Sequence, residues 1–147
     1  MYVRDWMNPY PIAVSPTSPV SGAKDLMRKA HVRHLLVTRG DHLVGIITDR
    51  DIRLTLPSPA TSLSVWEIHY LLAKLTVGEV MTKEAITVTP RQRLEEAIRL
   101  MLTHAIGALP VIEGRRVVGI ITETDLLRAF AQILEGYPES TLAGVGA

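Results

Sequence analysis

The sequence contains no cysteine, which excludes disulfide bonds, thiolate zinc sites and cysteine nucleophiles. It also has no apolar run near the roughly 18 residues that a membrane-spanning helix needs. Residues 1–10 carry charges instead of the basic start and apolar core of a signal peptide. Asparagine occurs once and glutamine twice, and this scarcity of thermolabile amides indicates a thermophilic source. Together the absences favour a cytoplasmic protein without a membrane partner.

The charges are balanced, with 16 lysines and arginines against 15 aspartates and glutamates and a formal net charge of +1. This balance argues against a nucleic-acid partner, for which a basic cluster in the first half of the chain is the only support. Catalytic fingerprints are missing as well: there is no Gly-x-Ser-x-Gly elbow, P-loop or Gly-x-Gly-x-x-Gly. We therefore predict that the protein is not an enzyme. His31 and His34 lie three residues apart but lack a third clustered ligand, so no metal site is predicted.

What the sequence does contain is a repeat. The stretch "GIITDRD" begins at Gly45 and "GIITETD" begins 74 positions later, at Gly119. Sliding the chain by that distance aligns some fifty positions without a gap, a match that indicates tandem duplication. The further identities include Val3 with Val77, Met7 with Met81, Ile12 with Ile86, Pro16 with Pro90, Ala23 with Ala97, Met27 with Met101 and Gly40 with Gly114.

Each copy predicts the order strand, helix, strand, strand, helix. The strands fall at 12–14, 34–38 and 43–47, with counterparts at 86–88, 108–112 and 117–121, because short apolar runs there end in proline or flank a glycine turn. Apolar residues spaced by three and four predict the first helix of each copy. A unit of about 55 residues buries little apolar surface alone, so the copies must pack together.

The resulting α/β (α+β) fold is two β-α-β-β-α repeats related by a pseudo-two-fold axis. We divide the chain into repeat 1 (1–56), a linker with a connector helix (57–76), repeat 2 (77–135) and a flexible tail (136–147). Ser64 and Glu67 form a capping-box pattern at the start of the connector helix.

This duplicated unit resembles the CBS domain, and the pair resembles a Bateman module. The likeness covers roughly residues 3–135 and is carried by Val-Gly-Ile-Ile-Thr-x-x-Asp in both copies, by "HVRHLLV" and "AIGALPV", and by "WMNPYPIAVSP" and "VMTKEAITVTP". The stretch "TDRDIR" is similar to the form common in stand-alone bacterial CBS proteins. The stretch "LPSPATSLSVWEIHYLLAKL" resembles the linker in the CBS part of acetoin-utilisation proteins.

The resemblance implies two clefts that bind adenosine-containing regulatory ligands, namely AMP, ADP or ATP, with S-adenosylmethionine as a further option. It implies no required cofactor, and it implies a homodimer and a regulated protein that the sequence does not identify. Asp51 and Asp125 are expected to hold the ribose hydroxyls, with Thr48 and Thr122 near the ribose or phosphate. The other expected binding residues are Ile12, Ala13, Ile86 and Thr87 at the adenine, and Ala108 and Pro110 on the second strand of repeat 2. The resemblance also implies that Arg33 and His34 supply basic groups to phosphate, either in the Asp51 cleft or for a ligand held by Asp125.

The residues also allow plainer readings. Thr48 and Asp51 read as a capping box, in which the threonine caps a helix and the aspartate reaches back to it. Gly45 and Gly119 either admit a ligand to the backbone or relieve crowding between a helix and a strand. The alternative function is accordingly a ligand-free dimerisation or interaction domain with vestigial clefts. Unequal clefts are expected in either case, because repeat 2 has Gly107, Ala108, Thr124 and Leu127 where repeat 1 has Arg33, His34, Arg50 and Arg53.

Overall fold

A five-stranded sheet with the strand order β1-β2-β3-β5-β4 organises the chain. The computed structural model describes residues 1–56 and 63–136. Repeat 1 holds α1 (Val3–Trp6), β1 (Ala13–Val14), α2 (Val20–Ala30), β2 (His34–Arg39), β3 (His42–Thr48) and α3 (Asp49–Thr55). The remainder holds α4 (Val65–Lys74), α5 (Val77–Val80), α6 (Leu94–His104), β4 (Ala108–Glu113), β5 (Arg116–Thr122) and α7 (Glu123–Glu135). The mixed α+β fold with repeated units is confirmed.

The sheet consists of two halves, one from each repeat. In each half two antiparallel strands form a hairpin, β2 with β3 and β4 with β5. Gly40 and Gly114 stand in the hairpin turns at φ +62° and +63°, a left-handed conformation that side chains with a Cβ adopt at a cost. The halves meet through β3 and β5, whose register pairs His42 with Arg116. Because this register holds a single pair of residues, most of the contact between the repeats must come from parts of the chain outside the sheet pairing.

The strand predicted at 86–88 does not form in the structure. Its counterpart β1 runs parallel to β2, and the backbone N–H of Leu36 donates to the carbonyl of Ile12 at 3.1 Å. Pro110 occupies the position equivalent to Leu36 and has no N–H to donate to Ile86. Only a bridge between Val88 and Val111 remains in repeat 2.

The first helical turn of each repeat packs on the other repeat. We call residues 1–12 and 75–86 the leading segments. Val3 is fully buried in the core of repeat 2, and its N–H donates to the carbonyl of Gln92 at 2.9 Å. Val77 is likewise buried in the core of repeat 1, and its N–H donates to Ser18 at 2.8 Å. The two cores are thus completed by an exchange of leading segments.

The glycines of the two heptapeptides stand where these segments cross the sheet. A Cβ on Gly45 would lie 2.7 Å from the carbonyl oxygen of Thr82, and one on Gly119 would lie 2.8 Å from that of Asn8. The crossing is fixed by reciprocal backbone hydrogen bonds of 2.8–3.1 Å, between Asn8 and Ile120 and between Thr82 and Ile46. The glycines therefore admit a neighbouring chain segment, which neither reading of the sequence anticipated.

The connector helix α4 docks on repeat 1. The N–H of Glu67 donates to the Ser64 hydroxyl at 3.1 Å, which caps the helix as predicted. Leu72 is buried in the core of repeat 1, with Ile68 and Leu75 packed beside it. Two predicted stretches, the linker at 57–62 and the tail from residue 137, lie outside the described residues.

Replacing Gly119 with alanine is expected to lower the free energy of unfolding by about 1–3 kcal/mol, because the added methyl overlaps the Asn8 carbonyl. Gly22→Ala is the matched control: its Cβ meets only Pro19 Cγ at 3.7 Å, and alanine in a helix is favoured by up to about 1 kcal/mol. Urea unfolding of both variants measures the difference. Equal midpoints would contradict the tight crossing.

Candidate functional site

Two cavities open where the repeats meet. The Asp51 cleft, of about 540 Å³, contains Thr48 and Asp51 of repeat 1 together with side chains of repeat 2. The Asp125 cleft, of about 790 Å³, contains Thr122 and Asp125 together with side chains of repeat 1. Each cleft therefore combines two parts. One is the strand-to-helix corner of one repeat, where β3 meets α3 or β5 meets α7, and the other is the leading segment of the other repeat.

Asp51 is half-buried at the start of α3 and closes the predicted capping box. The N–H of Thr48 donates to Asp51 Oδ2 at 2.9 Å, and the N–H of Asp51 donates to Thr48 Oγ1 at 3.1 Å. The Thr82 hydroxyl, from the leading segment of repeat 2, donates to Asp51 Oδ1 at 3.2 Å. The capping reading of the sequence is thus realised, and one further donor comes from across the cleft.

Asp125 occupies the equivalent place at the start of α7 but has different partners. It is only 7% exposed. The N–H and the hydroxyl of Thr122 donate to its Oδ2 at 2.8 and 3.1 Å. Arg128 forms an ion pair with its Oδ1 at 3.4 Å, whereas repeat 1 has Leu54 at that position. Both carboxylates therefore accept a backbone N–H and a hydroxyl, but the hydroxyl on Asp51 comes from across the cleft, and Asp125 has an arginine of its own helix in addition.

The other expected binding residues are divided among the cavities. Ile12 lines the Asp125 cleft and Ile86 lines the Asp51 cleft, each opposite the aspartate of the other repeat. Ala108 and Pro110 also line the Asp51 cleft. Ala13 and Thr87 do not line either cavity among the described residues, and their part in binding remains a prediction.

Arg33 and His34 line both clefts, as does Gly107. The Arg33 carbonyl accepts the N–H of Asp49 at 3.0 Å, and Gly107 does the same for Glu123. In each repeat, the segment just before the second strand is thereby hydrogen-bonded to the first residue of the final helix of the same repeat. The basic pair consequently lies where the linings of the two cavities meet.

Burial lowers the pKa of the His34 imidazole below its usual 6.5, and the nearby Arg33 guanidinium lowers it further. The carboxylates of Glu123 and Asp51 oppose this lowering without reversing it. His34 is therefore mainly neutral at neutral pH, and Arg33 supplies the positive charge between the clefts.

Sequence reasoning missed several cleft residues, among them Asn8, Thr82 and Arg128. Thr82 and Asn8 are equivalent positions of the leading segments and come from the repeat opposite the aspartate they face. Arg128 lies three residues after Asp125 on a predicted helix, a spacing at which opposite charges pair. The pairing of Arg128 with Asp125 could therefore have been predicted from the sequence. The places of Thr82 and Asn8 could not, because they depend on the exchange of leading segments between the repeats.

The model of the CBS domain matches residues 3–58 and 77–132. This chain belongs to the CBS-domain family. Its relatives include the CBS domain-containing protein YhcV of Bacillus subtilis, 32% identical over 124 residues that cover 84% of this chain and 81% of YhcV. Other relatives are enzymes with a CBS pair as a small part, and the chain spans 21% of the inosine-5'-monophosphate dehydrogenase of Korarchaeum cryptofilum at 35% identity.

Solved structures of CBS pairs share the fold over nearly their full length. AcuB from Vibrio cholerae, assigned to acetoin utilisation, is 30% identical with a TM-score of 0.75, over 92% of this chain and 93% of AcuB. CBSX2 in complex with AMP is 31% identical with a TM-score of 0.77, over 90% and 97%. The CBS pair of protein MJ0100, in complex with 5'-methylthioadenosine and S-adenosylmethionine, is 28% identical with a TM-score of 0.72, over 90% and 97%.

In the part of the chain that the structure describes, no helix is both long and apolar enough to cross a membrane. Residues 1–56 and 63–136 also hold no group of three histidine, aspartate or glutamate side chains arranged to bind a metal ion.

The lowered pKa of His34 predicts a pH-dependent stability. Since the folded state has the lower pKa, it binds fewer protons than the unfolded state and loses stability as pH falls below about 6.5. His34→Gln is expected to flatten this loss, which urea midpoints between about pH 5 and 8 would measure. His69→Gln, which removes an exposed imidazole outside both clefts, is the control. Identical pH slopes in the wild type and His34→Gln would refute the prediction.

Proposed function

We propose that this protein is a cytoplasmic regulatory module that binds adenosine-containing ligands in its two clefts. AMP, ADP and ATP are the preferred candidates, and S-adenosylmethionine is the next. The observation that carries the proposal is the pairing, in each cleft, of a Thr-x-x-Asp corner with the leading segment of the other repeat. The complexes of CBSX2 with AMP and of MJ0100 with S-adenosylmethionine support this choice of ligand class.

The chemistry of the clefts fits the three parts of such a ligand. A carboxylate accepts two hydrogen bonds side by side and so suits the cis-diol of ribose, the role given to Asp51 and Asp125. Apolar side chains such as Ile12 and Ile86 suit the adenine ring. Arg33 suits a phosphate, because a guanidinium donates two parallel hydrogen bonds to it.

A ligand in either cleft touches both repeats and can therefore favour one arrangement of the pair over another. Such a shift requires that the ligand bind the two arrangements with different affinity. We assign the module no catalysis of its own, so the signal passes to a regulated protein through its changed surface.

The alternative, a ligand-free interaction domain, has its own support. Both aspartates already have internal partners at the helix starts. Among the described residues, no buried side-chain nitrogen or oxygen lacks a hydrogen-bond partner. The fold is therefore complete without a ligand, and only binding measurements separate the two functions.

Thermal melts with AMP, ADP, ATP and S-adenosylmethionine provide that measurement. A ligand at about 100 times its Kd adds roughly 2.7 kcal/mol to the stability and raises the melting temperature. Asp51→Ala and Asp125→Ala are each expected to remove the contribution of one cleft, with Asp25→Ala, an exposed helix aspartate outside the clefts, as the matched control. The ligand-induced shift is compared within each variant, because loss of a helix cap alone costs about 1 kcal/mol. No shift with any compound at millimolar concentration would favour the interaction domain.

We further propose that the protein forms a homodimer through α6 and α7. These helices expose Leu102, Leu127 and Phe130 by 77%, 67% and 55%, and exposed apolar groups of this size mark interaction surfaces. Leu127→Glu and Phe130→Glu are expected to convert a dimer to a monomer in sedimentation velocity. Tyr10→Glu, at an 86% exposed site that belongs to neither helix, controls for the added charge. A wild-type monomer, or unchanged dimers in both helix variants, would contradict this interface.

A further inference from the structure

The basic pair Arg33–His34 has no counterpart in the second repeat. The pseudo-two-fold axis places Gly107 and Ala108 at the equivalent positions. Gly107 also borders both cavities, so an exact duplicate would supply two arginines to each cleft, but here Arg33 alone fills this role for both. Its charge must consequently serve two sites.

The remaining cleft arginines are unevenly available. In the Asp125 cleft, Arg128 is paired with Asp125 at 3.4 Å. In the Asp51 cleft, Arg53 is paired with Asp49 at 3.4 Å. Arg33 and Arg50 form no salt bridge within residues 1–56 and 63–136, and of these two only Arg33 reaches both cavities. The Asp51 cleft therefore has two unpaired arginines and the Asp125 cleft has one, which it shares.

We propose that Arg33 is a phosphate-binding residue shared by the two clefts, so that a nucleotide bound through its phosphates in one cleft weakens phosphate binding in the other. The inference rests on the proposed function and adds a rule of occupancy to it. One guanidinium offers its two-pronged hydrogen bond to one phosphate at a time. Two phosphate chains against the same wall also repel each other.

Two consequences distinguish this arrangement from two independent unequal sites. The coupling requires phosphate, so adenosine binds the clefts independently while ATP does not. Removal of Arg33 weakens ATP binding in both clefts, and more strongly in the Asp125 cleft because the Asp51 cleft retains Arg50. Arg33 is exposed, so its removal leaves the core intact.

The test is isothermal titration calorimetry of the full chain with ATP and with adenosine. Asp51→Ala and Asp125→Ala, or the isosteric asparagine variants where alanine does not fold, give the affinity of each remaining cleft alone. In the wild type the second ATP is expected to bind about 5- to 150-fold more weakly than the same cleft does alone. Adenosine is expected to show no such difference.

Arg33→Ala, combined with each single-cleft variant, is expected to weaken ATP roughly ten-fold or more in both clefts while leaving adenosine unchanged. The matched control is Arg28→Ala, which removes an exposed arginine on α2 that borders neither cavity. The inference is overturned if the wild-type ATP isotherm equals the sum of the two single-cleft isotherms. It is also overturned if Arg33→Ala affects one cleft only. Failure of every adenosine compound to bind the wild type would instead reject the proposed function, and the coupling with it.

Discussion

The exchange of leading segments is the constraint on which the rest of the structure depends. Val3 and Val77 are both fully buried, each in the core of the repeat to which it does not belong in sequence. Neither repeat therefore has a complete core alone. Because so small a unit buries little apolar surface by itself, each repeat needs the other to complete its core. The crossing also dictates sequence, because only a glycine fits where a leading segment passes at 2.7–2.8 Å from the position of a Cβ, as at Gly45 and Gly119. These two glycines belong to a repeated motif that resembles a ligand-binding motif, but packing of the leading segments is enough to require them.

The same crossing creates the clefts. Each leading segment leaves the sheet of the opposite repeat beside that repeat's strand-to-helix corner, so Thr82 comes within 3.2 Å of Asp51. A molecule within a cavity bounded in this way would contact both repeats. Rigid hairpins supply the walls, and the capped starts of α3 and α7 fix the carboxylates. The two carboxylates consequently stand on elements held by the core, while irregular segments, among them the residues just before β2 and β4, supply much of the remaining lining.

The 74-residue shift predicts both hairpins, the helices that follow them and the caps at Thr48 and Thr122, because those depend on local pattern. The shift cannot reveal the exchange: Val3 and Val77 are equivalent, and the alignment is the same whichever core each one fills. The loss of a strand at 86–88 was readable from Pro110, whose missing N–H is a local property. The place of Arg33 between two cavities was not, because it depends on how the repeats are oriented.

The charges show where a duplicated site has ceased to be symmetric. The ion pair between Arg128 and Asp125 looks like the main difference, but the Arg128 side chain is 70% exposed. Exposed pairs of this kind contribute only about 0–1 kcal/mol, so the pair with Arg128 changes the Asp125 carboxylate little as a hydrogen-bond acceptor. The hydroxyl of Thr82 on Asp51 is a similarly modest partner. The two carboxylates are therefore nearly equal as acceptors. The basic side chains differ more, because Arg33 borders both cavities with no second arginine at Gly107, whereas Arg50 borders the Asp51 cleft but not the Asp125 cleft. On the proposed function, this divergence would make the clefts unequal toward phosphate while leaving an aspartate in each for ribose.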